Sequence, residues 1–241
     1  MSKICKILDW DSHHYKKRIA KVNSLNLEEH EFIILDKWSY ENNIDCIYYL
    51  KEYHNHEDSS VELDNNFKFV DTRIVYFLDL KENISINPRH SIIKTKLFQN
   101  KADSSLYRIS DESIKNTRFY NDKNFDIELV KKMYRIWIDK SIRDSKSCVV
   151  IAELNNRIIG FITFNIIKKD TAQIGLVAIE RNKQNMGVAS NLMLDCIKRC
   201  RLQKIKSITV ATQIKNHPAK MYYEKFGFSE SFKGHWFHKW Y

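Results

Sequence analysis

The stretch from Gln173 to Ala189 holds the residues whose types and spacing indicate the most specific chemistry. An apolar run, Ile174 to Ile179, leads into a short polar loop, and a Gln-x-x-Gly-x-Ala string (residues 184–189) then opens a helix. The first amides of a helix have no partner inside it, and the helix dipole makes this end positive. Small residues let a bulky anion approach the backbone. The stretch therefore predicts a phosphate cradle.

The glycine spacing of this string fits neither a P-loop nor a dinucleotide fingerprint. Taken alone the string is weakly specific, and its surroundings strengthen it. A predicted hairpin over 148–163, with its turn at Asn155-Asn156, comes before it. A strand over 207–212 comes after it, followed by the pattern Asn216-x-x-Ala-x-x-x-Tyr223-x-x-x-Gly227-Phe228.

This order of motifs resembles that of the GCN5-related N-acetyltransferases over roughly Ser104 to Tyr241. The resemblance implies the acyl-CoA N-acyltransferase fold, an α/β (α+β) architecture with a mixed, mostly antiparallel sheet. It also implies an enzyme that transfers an acetyl group from acetyl-CoA, used as co-substrate, to an amine.

The resemblance further implies where acetyl-CoA binds. Residues 184–189 would hold its diphosphate through backbone N–H groups, while residues 176–178 would lie along the pantetheine arm. Two positions depart from the family pattern, because Asn185 and Ala189 stand where glycine is common. The full set of expected acetyl-CoA contacts is Leu176, Val177, Ala178, Gln184, Asn185, Gly187, Val188, Ala189 and Asn216.

Tyr223 matches the position of the family's tyrosine, seven residues after Asn216 and four before Gly227. A phenol has an unperturbed pKa of about 10, so it is protonated at neutral pH and can donate a proton to a departing thiolate. We therefore expect Tyr223 to act as general acid. The alternative is a core tyrosine on the helix, and that is the interpretation we favour for the neighbouring Tyr222.

The N-terminal segment resembles the N-terminal domain of the TDP-fucosamine acetyltransferases. The matching stretches are Ile7–Ser12, Cys46–Leu50, Phe67–Val75, Thr117–Asp122, Ile136–Ser141, Ala211–Gln213 and Trp236-x-His238-x-Trp240. Enzymes of that kind acetylate the amine of a TDP-4-amino-4,6-dideoxyhexose to make precursors of surface glycans. The resemblance implies a smaller N-terminal α/β domain over 1–98 for the sugar nucleotide and an acetyltransferase domain over 99–241.

Four charged residues of the N-terminal segment are candidates for the acceptor side: Asp9, Asp11, Asp71 and Arg73. The three carboxylates are candidates for a general base. Asp71 and Arg73 are two apart in a predicted strand, so both point to one face. The alternatives are a structural ion pair of Asp71 with Arg73, and a turn shaped by Asp9 and Asp11.

The formal net charge of +10 admits nucleic-acid binding, but the lysines are scattered and form no cluster with interleaved aromatic residues. Binding of two anionic ligands would also explain a positive net charge, and lysines on solvent-exposed faces account for much of it. We therefore expect no nucleic-acid partner. A protein or small-amine N-acetyltransferase is the main alternative, and a non-catalytic basic binding module is a weaker one.

Five cysteines, an odd number without metal-ligand spacing, favour reduced buried thiols over a disulfide or zinc. His235 and His238 are three apart in a predicted strand and favour structural roles, so no metal is expected. No apolar run approaches the roughly 20 residues of a membrane span. The sequence predicts a cytoplasmic protein, with a homodimer possible.

The remaining elements are less sharply marked. Asn26 is a candidate helix cap, residues 59–66 a short helix, residues 81–96 a polar linker, and residues 228–241 the last two strands. Apolar residues at helical spacing predict a helix over 125–141 with a core-facing stripe. That stripe comprises Val130, Met133, Tyr134, Trp137 and Ile138.

Overall fold

The fold comes from a computed structural model that describes residues 4–53, 66–81, 92–99 and 103–241. The helix predicted over 59–66 and the middle of the linker predicted over 81–96 fall almost wholly outside these ranges.

Within the described ranges the strands form one sheet of ten, in the order β1-β2-β3-β10-β4-β9-β8-β7-β6-β5. Neighbouring strands are antiparallel except β2 with β3 and β8 with β9. The strands are β1 (Cys5–Ile7), β2 (Ile19–Val22), β3 (Cys46–Glu52), β4 (Lys68–Asp79), β5 (Lys94–Leu97), β6 (Ser147–Leu154), β7 (Arg157–Lys168), β8 (Thr171–Ile179), β9 (Ser207–Gln213) and β10 (Ser229–Trp240). The predicted class, a mixed and mostly antiparallel sheet with helices, is confirmed.

Seven α-helices cover this sheet in the described part of the chain. They are α1 (Asp9–Tyr15), α2 (Glu29–Glu41), α3 (Ser104–Ser113), α4 (Arg118–Asn121), α5 (Ile127–Arg143), α6 (Val188–Leu202) and α7 (His217–Lys225). Apolar residues of α6 and α7 pack on one sheet face, against β4 and β8. Residues of α4 and α5 pack on the other face, against β3 and β10. The sheet thus separates these two of the four hydrophobic clusters in the described part of the chain.

Several local predictions are confirmed. Asn155 and Asn156 have φ of 50° and 61° and join β6 to β7, because asparagine tolerates the left-handed backbone of a tight hairpin turn. The Asn216 side chain accepts a hydrogen bond from the Ala219 amide and caps α7. Gly227, with φ of 84°, follows the end of that helix.

Other predictions were wrong. Helix α2 is capped by Glu28 and Glu31, whose side chains each accept a hydrogen bond from the backbone amide of the other, and not by Asn26. Residues 94–96 of the predicted linker form, with Leu97, strand β5 at the sheet edge. Trp137 is 37% exposed and meets the Tyr134 ring edge-on, whereas the rest of its predicted stripe is buried.

The chain ends in one long strand instead of the two predicted over 228–241. Strand β10 pairs with β3 on one side and with β4 on the other, so it joins the N-terminal strands to the rest of the sheet. Its register against β4 shifts between Glu230 and Phe232 and again between Trp236 and Phe237, so the strand continues through two irregularities. The division into domains at residues 98 and 99 stays a prediction.

Strands β8 and β9 separate midway along their length. They pair only from Thr171 to Ile174 on β8 and from Ser207 to Val210 on β9, although both strands run on in the same direction. Beyond Val210, β9 keeps its pairing with β4 up to Gln213. The result is a wedge-shaped gap in the sheet between the carboxyl ends of two parallel strands.

Candidate active site

The gap is lined on one side by the residues expected along the pantetheine arm, Leu176 to Ala178. Their edge of β8 carries no ladder partner from β9, so its backbone groups are available to an extended ligand. A bulge opposite Thr163 turns this edge, and the Leu176 amide donates to Thr163 Oγ1 at 2.9 Å. Gly175 permits the close approach, since a Cβ there would lie 2.8 Å from that oxygen.

The loop that follows β8 brings a helix N-terminus to the mouth of the gap. Asn185 and Gly187 have φ of 63° and 78°, and the left-handed Gly187 starts α6 without any side-chain cap. The amides of the first turn, from Val188 onward, are therefore left for a ligand. Uncapped amides and the positive end of a helix dipole suit a diphosphate, so the residues present fit the coenzyme that the sequence implied.

A cavity of about 400 Å³ opens beside this loop. Gln184 and Ile179 line it together with two cationic side chains, Lys115 and Arg181. The Glu112 carboxylate also lines the cavity, so the two cations leave one net positive charge beside the electropositive helix end.

Helix α7 is tied to the same helix turn. The Tyr222 hydroxyl donates to the Ala189 carbonyl oxygen at 2.6 Å, so Tyr222 is more than the core residue that the sequence suggested. Asn216, expected to contact the coenzyme, is engaged in the structure with Ala219 and with Thr212 Oγ1. Its amide orients α7 relative to β9.

Tyr223 lies one residue further along α7, in the same apolar cluster as Val177 and Val188. Its ring is 5% exposed and packs on Tyr76 and Phe228, with centroids 5.8 and 5.6 Å away. Burial raises the pKa of the phenol well above its ordinary value. Tyr223 is therefore protonated across the physiological pH range.

On the opposite sheet face, Asp71 and Arg73 lie at the level of the gap. Arg73 pairs in register with Gln213, the last residue of β9, past the point where β8 leaves. Because Ile74 and Tyr76 belong to the core under α6 and α7, and Asp71 pairs with Trp236 of the other core, Asp71 and Arg73 face α4 and α5. Leu176 of β8 also packs on the core under α4 and α5, which links the gap to this face.

Asp71 is buried, and burial raises the pKa of its carboxyl to about 6. The Thr72 amide donates to Asp71 Oδ1 at 2.8 Å and opposes that rise. The structural ion pair between Asp71 and Arg73 considered above is not formed. A carboxyl with a pKa near neutrality is suited to proton transfer.

The other two acidic candidates lie in helix α1 instead of a turn, which corrects that alternative. Asp11 is half-buried, and burial raises its pKa against the lowering influence of Arg118 and His14. Asp9 is exposed. Asp11 therefore belongs to the same region as Asp71, through the charge of Arg118, while Asp9 faces solvent.

Arg118 is the functional candidate that the sequence argument missed. Its guanidinium stacks on the rings of Tyr48, Phe119 and Trp236, with the guanidinium carbon 4.5, 4.1 and 4.1 Å from their centroids. Arg118 and its partners lie in the stretches Thr117–Asp122 and Trp236–Trp240, which resemble the TDP-fucosamine acetyltransferases. Nothing in the sequence alone indicated a functional role for any residue in them.

A hydrogen-bond chain holds Arg118 from behind. Arg118 donates through one terminal nitrogen to His238 Nε2 at 2.7 Å, and His238 Nδ1 donates to Asp122 Oδ2 at 2.6 Å. Trp240 Nε1 donates to the same carboxylate oxygen. Burial lowers the pKa of His238 to about 4, so the ring is neutral and its tautomer follows from these two bonds. His238 thus has a structural role, as expected.

Within the described ranges, no group of three or more His, Cys, Asp or Glu side chains is placed to hold a metal ion. The five cysteines are free thiols. Among the described helices, none is both long and apolar enough to cross a bilayer.

Comparison with known proteins shows which family and which solved structures this chain resembles. Residues 112–228 match the acetyltransferase (GNAT) family. Two solved structures have the same fold over nearly the whole chain. One is a functionally unknown conserved protein from Staphylococcus epidermidis ATCC 12228, with a TM-score of 0.65, 12% identity and coverage of 99% of this chain and 92% of that one. The other is a GCN5-related N-acetyltransferase from Sphaerobacter thermophilus, with a TM-score of 0.65, 12% identity and coverage of 98% of this chain and 76% of that one.

A curated relative is the spore coat polysaccharide biosynthesis protein SpsD of Bacillus subtilis (strain 168), which is 20% identical over 136 residues. The match covers 56% of this chain and 47% of that protein, so the chain spans about half the length of this relative. Residues 112–228 are thus similar to the acetyltransferase (GNAT) family, whose enzymes take acetyl-CoA as acyl donor.

Proposed function

We propose that the chain is an acetyl-CoA-dependent N-acetyltransferase whose acceptor is the amine of a nucleotide-linked amino-dideoxyhexose, of the TDP-4-amino-4,6-dideoxyhexose kind. The product is a precursor of a surface glycan. The single observation that carries the proposal is the gap between β8 and β9, with a cradle for a coenzyme at its mouth and a buried polar region on the far face.

Support for the donor half comes from backbone geometry. The amides at the start of α6 would bind the diphosphate, and the free edge from Leu176 to Ala178 would bind the pantetheine arm. Bound acetyl-CoA supplies an acetyl thioester. Holding two reactants in register can remove roughly 7–11 kcal/mol of barrier, so positioning alone provides much of the rate.

Two side chains would move the protons, one from each sheet face. Asp71, with a pKa of about 6, would take the proton of the acceptor ammonium and leave a neutral amine. Tyr223, kept protonated by burial, would donate to the leaving sulfur, and the second proton that the nitrogen loses as the amide forms would restore its hydroxyl. A backbone N–H near Val177 would donate to the thioester oxygen as negative charge develops there.

Support for a sugar acceptor is of a different kind. SpsD is described as a polysaccharide biosynthesis protein, and the resemblance to TDP-fucosamine acetyltransferases runs through segments that line the polar region, Thr117–Asp122 and Trp236–Trp240. A protein or small-amine acetyltransferase has no need of strands β1 to β3 and helix α1, which extend the sheet beyond β10.

The direct test is a screen of TDP- and UDP-linked aminosugars with acetyl-CoA, read by product mass. A mass increase of one acetyl group on a TDP-4-amino-4,6-dideoxyhexose is expected. Acetylation only of peptides or free polyamines, under the same conditions, would contradict the proposed acceptor. The possible homodimer is read separately by sedimentation equilibrium.

The acid is tested by a matched pair of variants. Tyr223→Phe removes only the hydroxyl and should lower kcat by about 10²-fold, at the lower end of acid catalysis, with little change in the KM of acetyl-CoA. Tyr222→Phe is the control, because it removes a hydrogen bond to Ala189 instead. Unchanged turnover of Tyr223→Phe at saturating substrates would remove Tyr223 from the mechanism.

A further inference from the structure

Three cationic side chains meet in the polar region on the α4–α5 face, and the mechanism above uses none of them. Lys21 Nζ and the Arg118 guanidinium both contact the Trp236 ring, at 5.4 and 4.1 Å from its centroid. Arg73 lies two residues from Asp71 on β4, and Asp71 pairs in register with Trp236, so Arg73 is on the same sheet face as that ring. Lys21, Arg73 and Arg118 are called the cation cluster below.

None of the three cations forms an ion pair with a residue in the described part of the chain. Burial lowers the pKa of all three groups, so the charged form of each is destabilised. Like charges that lie close together and partly shielded from water need an opposite charge to stabilise them. The carboxylates of Asp11 and Asp71 act on Arg118 only from a distance.

Two further polar atoms in this region are unsatisfied. The Tyr48 hydroxyl, on the ring under Arg118, and Arg73 Nε are both buried and have no hydrogen-bond partner among the described residues. Buried polar atoms are nearly always hydrogen-bonded. These two donors therefore indicate a ligand with several acceptor oxygens.

The orientation of Arg118 is fixed in advance. One terminal nitrogen is used by His238, and three rings hold the guanidinium plane. Arg118 is still partly exposed. A planar fork held in this way suits bidentate binding of phosphate oxygens.

We propose that the cation cluster is an anion subsite that binds the diphosphate of a nucleotide-linked acceptor; this rests on the proposed function. The diphosphate of the coenzyme is not the occupant, because its cradle belongs to α6 on the other sheet face. A diphosphate suits the cluster better than a carboxylate does, because Arg118, Lys21, Arg73 Nε and the Tyr48 hydroxyl together offer more donors than the two oxygens of a carboxylate can serve.

The test uses the whole chain saturated with CoA, so that the α6 cradle is filled, and thymidine 5′-diphosphate as the calorimetric probe. Wild type should bind the probe, and thymidine alone should bind at least tenfold more weakly. Arg118→Met should weaken probe binding by about ten- to a hundredfold, as expected for a lost charge-assisted hydrogen bond. Arg73→Met and Lys21→Met should each weaken it by several-fold.

Arg18→Met is the matched control, because Arg18 is exposed and lies outside the cluster. CoA affinity shows that each variant is folded. The subsite is overturned if wild type does not bind the probe, or if all three cluster variants bind it as tightly as wild type does. Probe binding with the expected pattern but no acetylation of any aminosugar leaves the subsite standing and refutes the proposed function. Acetylation of an aminosugar without a diphosphate at equal kcat/KM refutes the subsite alone.

Discussion

The two faces of the sheet build their halves of the site in different ways. On the α6–α7 face the coenzyme side consists mainly of backbone: an unpaired strand edge on β8, two left-handed residues and an uncapped helix. On the α4–α5 face the acceptor side consists of side chains drawn from α1, β2, β3, β4, α4 and β10. Arg118 alone contacts residues 48, 119, 236 and 238.

This difference predicts how each half responds to substitution. A backbone site tolerates changes of side chain, provided that the φ and ψ angles are preserved. A site of buried charges does not, because removing one partner leaves the others unsatisfied. Substitutions that keep the backbone angles should therefore have smaller effects on the coenzyme side, Tyr223 excepted, than substitutions of Asp71 or Arg118 have on the acceptor side.

The largest effect is expected for Asp71→Asn. Asparagine keeps the oxygen that accepts from Thr72 but cannot take a proton. Loss of a general base should lower kcat by about 10²- to 10⁴-fold. In wild type, kcat/KM should fall as the pH drops through about 6, because Asp71 becomes protonated there. The pH profile of the variant should lack this fall.

Asp9→Asn is the control for Asp71, since Asp9 is exposed on α1 near the same region. It should leave both the rate and the pH profile unchanged. An Asp71→Asn variant with wild-type turnover, or with its acidic limb intact, would show that the amine loses its proton elsewhere.

Titration of His238 is expected to change the free energy of unfolding, an effect of intermediate size among these predictions. Burial lowers its folded pKa to about 4, below the usual 6.5, so the unfolded chain binds the proton more tightly. The neutral ring contributes fully above pH 6.5, and this contribution, on the order of a few kcal/mol, is lost as the pH falls towards 4. Chemical denaturation at a series of pH values measures it.

His238→Gln isolates this contribution, because the wild-type profile also contains Asp71, whose raised pKa acts with the opposite sign between about pH 4 and 6. The difference in unfolding free energy between wild type and variant should shrink as the pH falls from 6.5 to 4. A difference that is constant with pH would mean that His238 is not held neutral in the folded protein.

The same contrast explains what could be predicted from the sequence. The coenzyme side follows from local signals: an apolar run, a loop with asparagine and glycine, and a capping asparagine within residues 174–216. Strand β10 could not be predicted as one strand, because its register depends on β3 and β4, far away in the chain. Arg118 could not be identified as a site residue for the same reason, because its partners lie up to 120 residues away in the chain.

A smaller effect is expected on the coenzyme side for Gly187→Ala. Alanine at φ of 78° costs about 1–2 kcal/mol, while the amides of the α6 turn remain. The KM for acetyl-CoA should rise about tenfold, and kcat should change little. Isothermal titration with CoA separates the affinity loss from any change in turnover. A fall in kcat with unchanged CoA affinity would mean that the turn does more than hold the coenzyme.

The smallest effect is expected for Asn185→Gly, which puts the family's more common residue into the loop. Asn185 already adopts φ of 63°, a conformation that asparagine accepts more readily than other side chains do. Glycine relieves that small strain but makes the unfolded chain more flexible, so the two effects largely cancel. CoA affinity should stay within about twofold of wild type and stability within about 0.5 kcal/mol. A large gain in affinity would mean that the Asn185 side chain obstructs the cradle, and the coenzyme side would then depend on side chains as the acceptor side does.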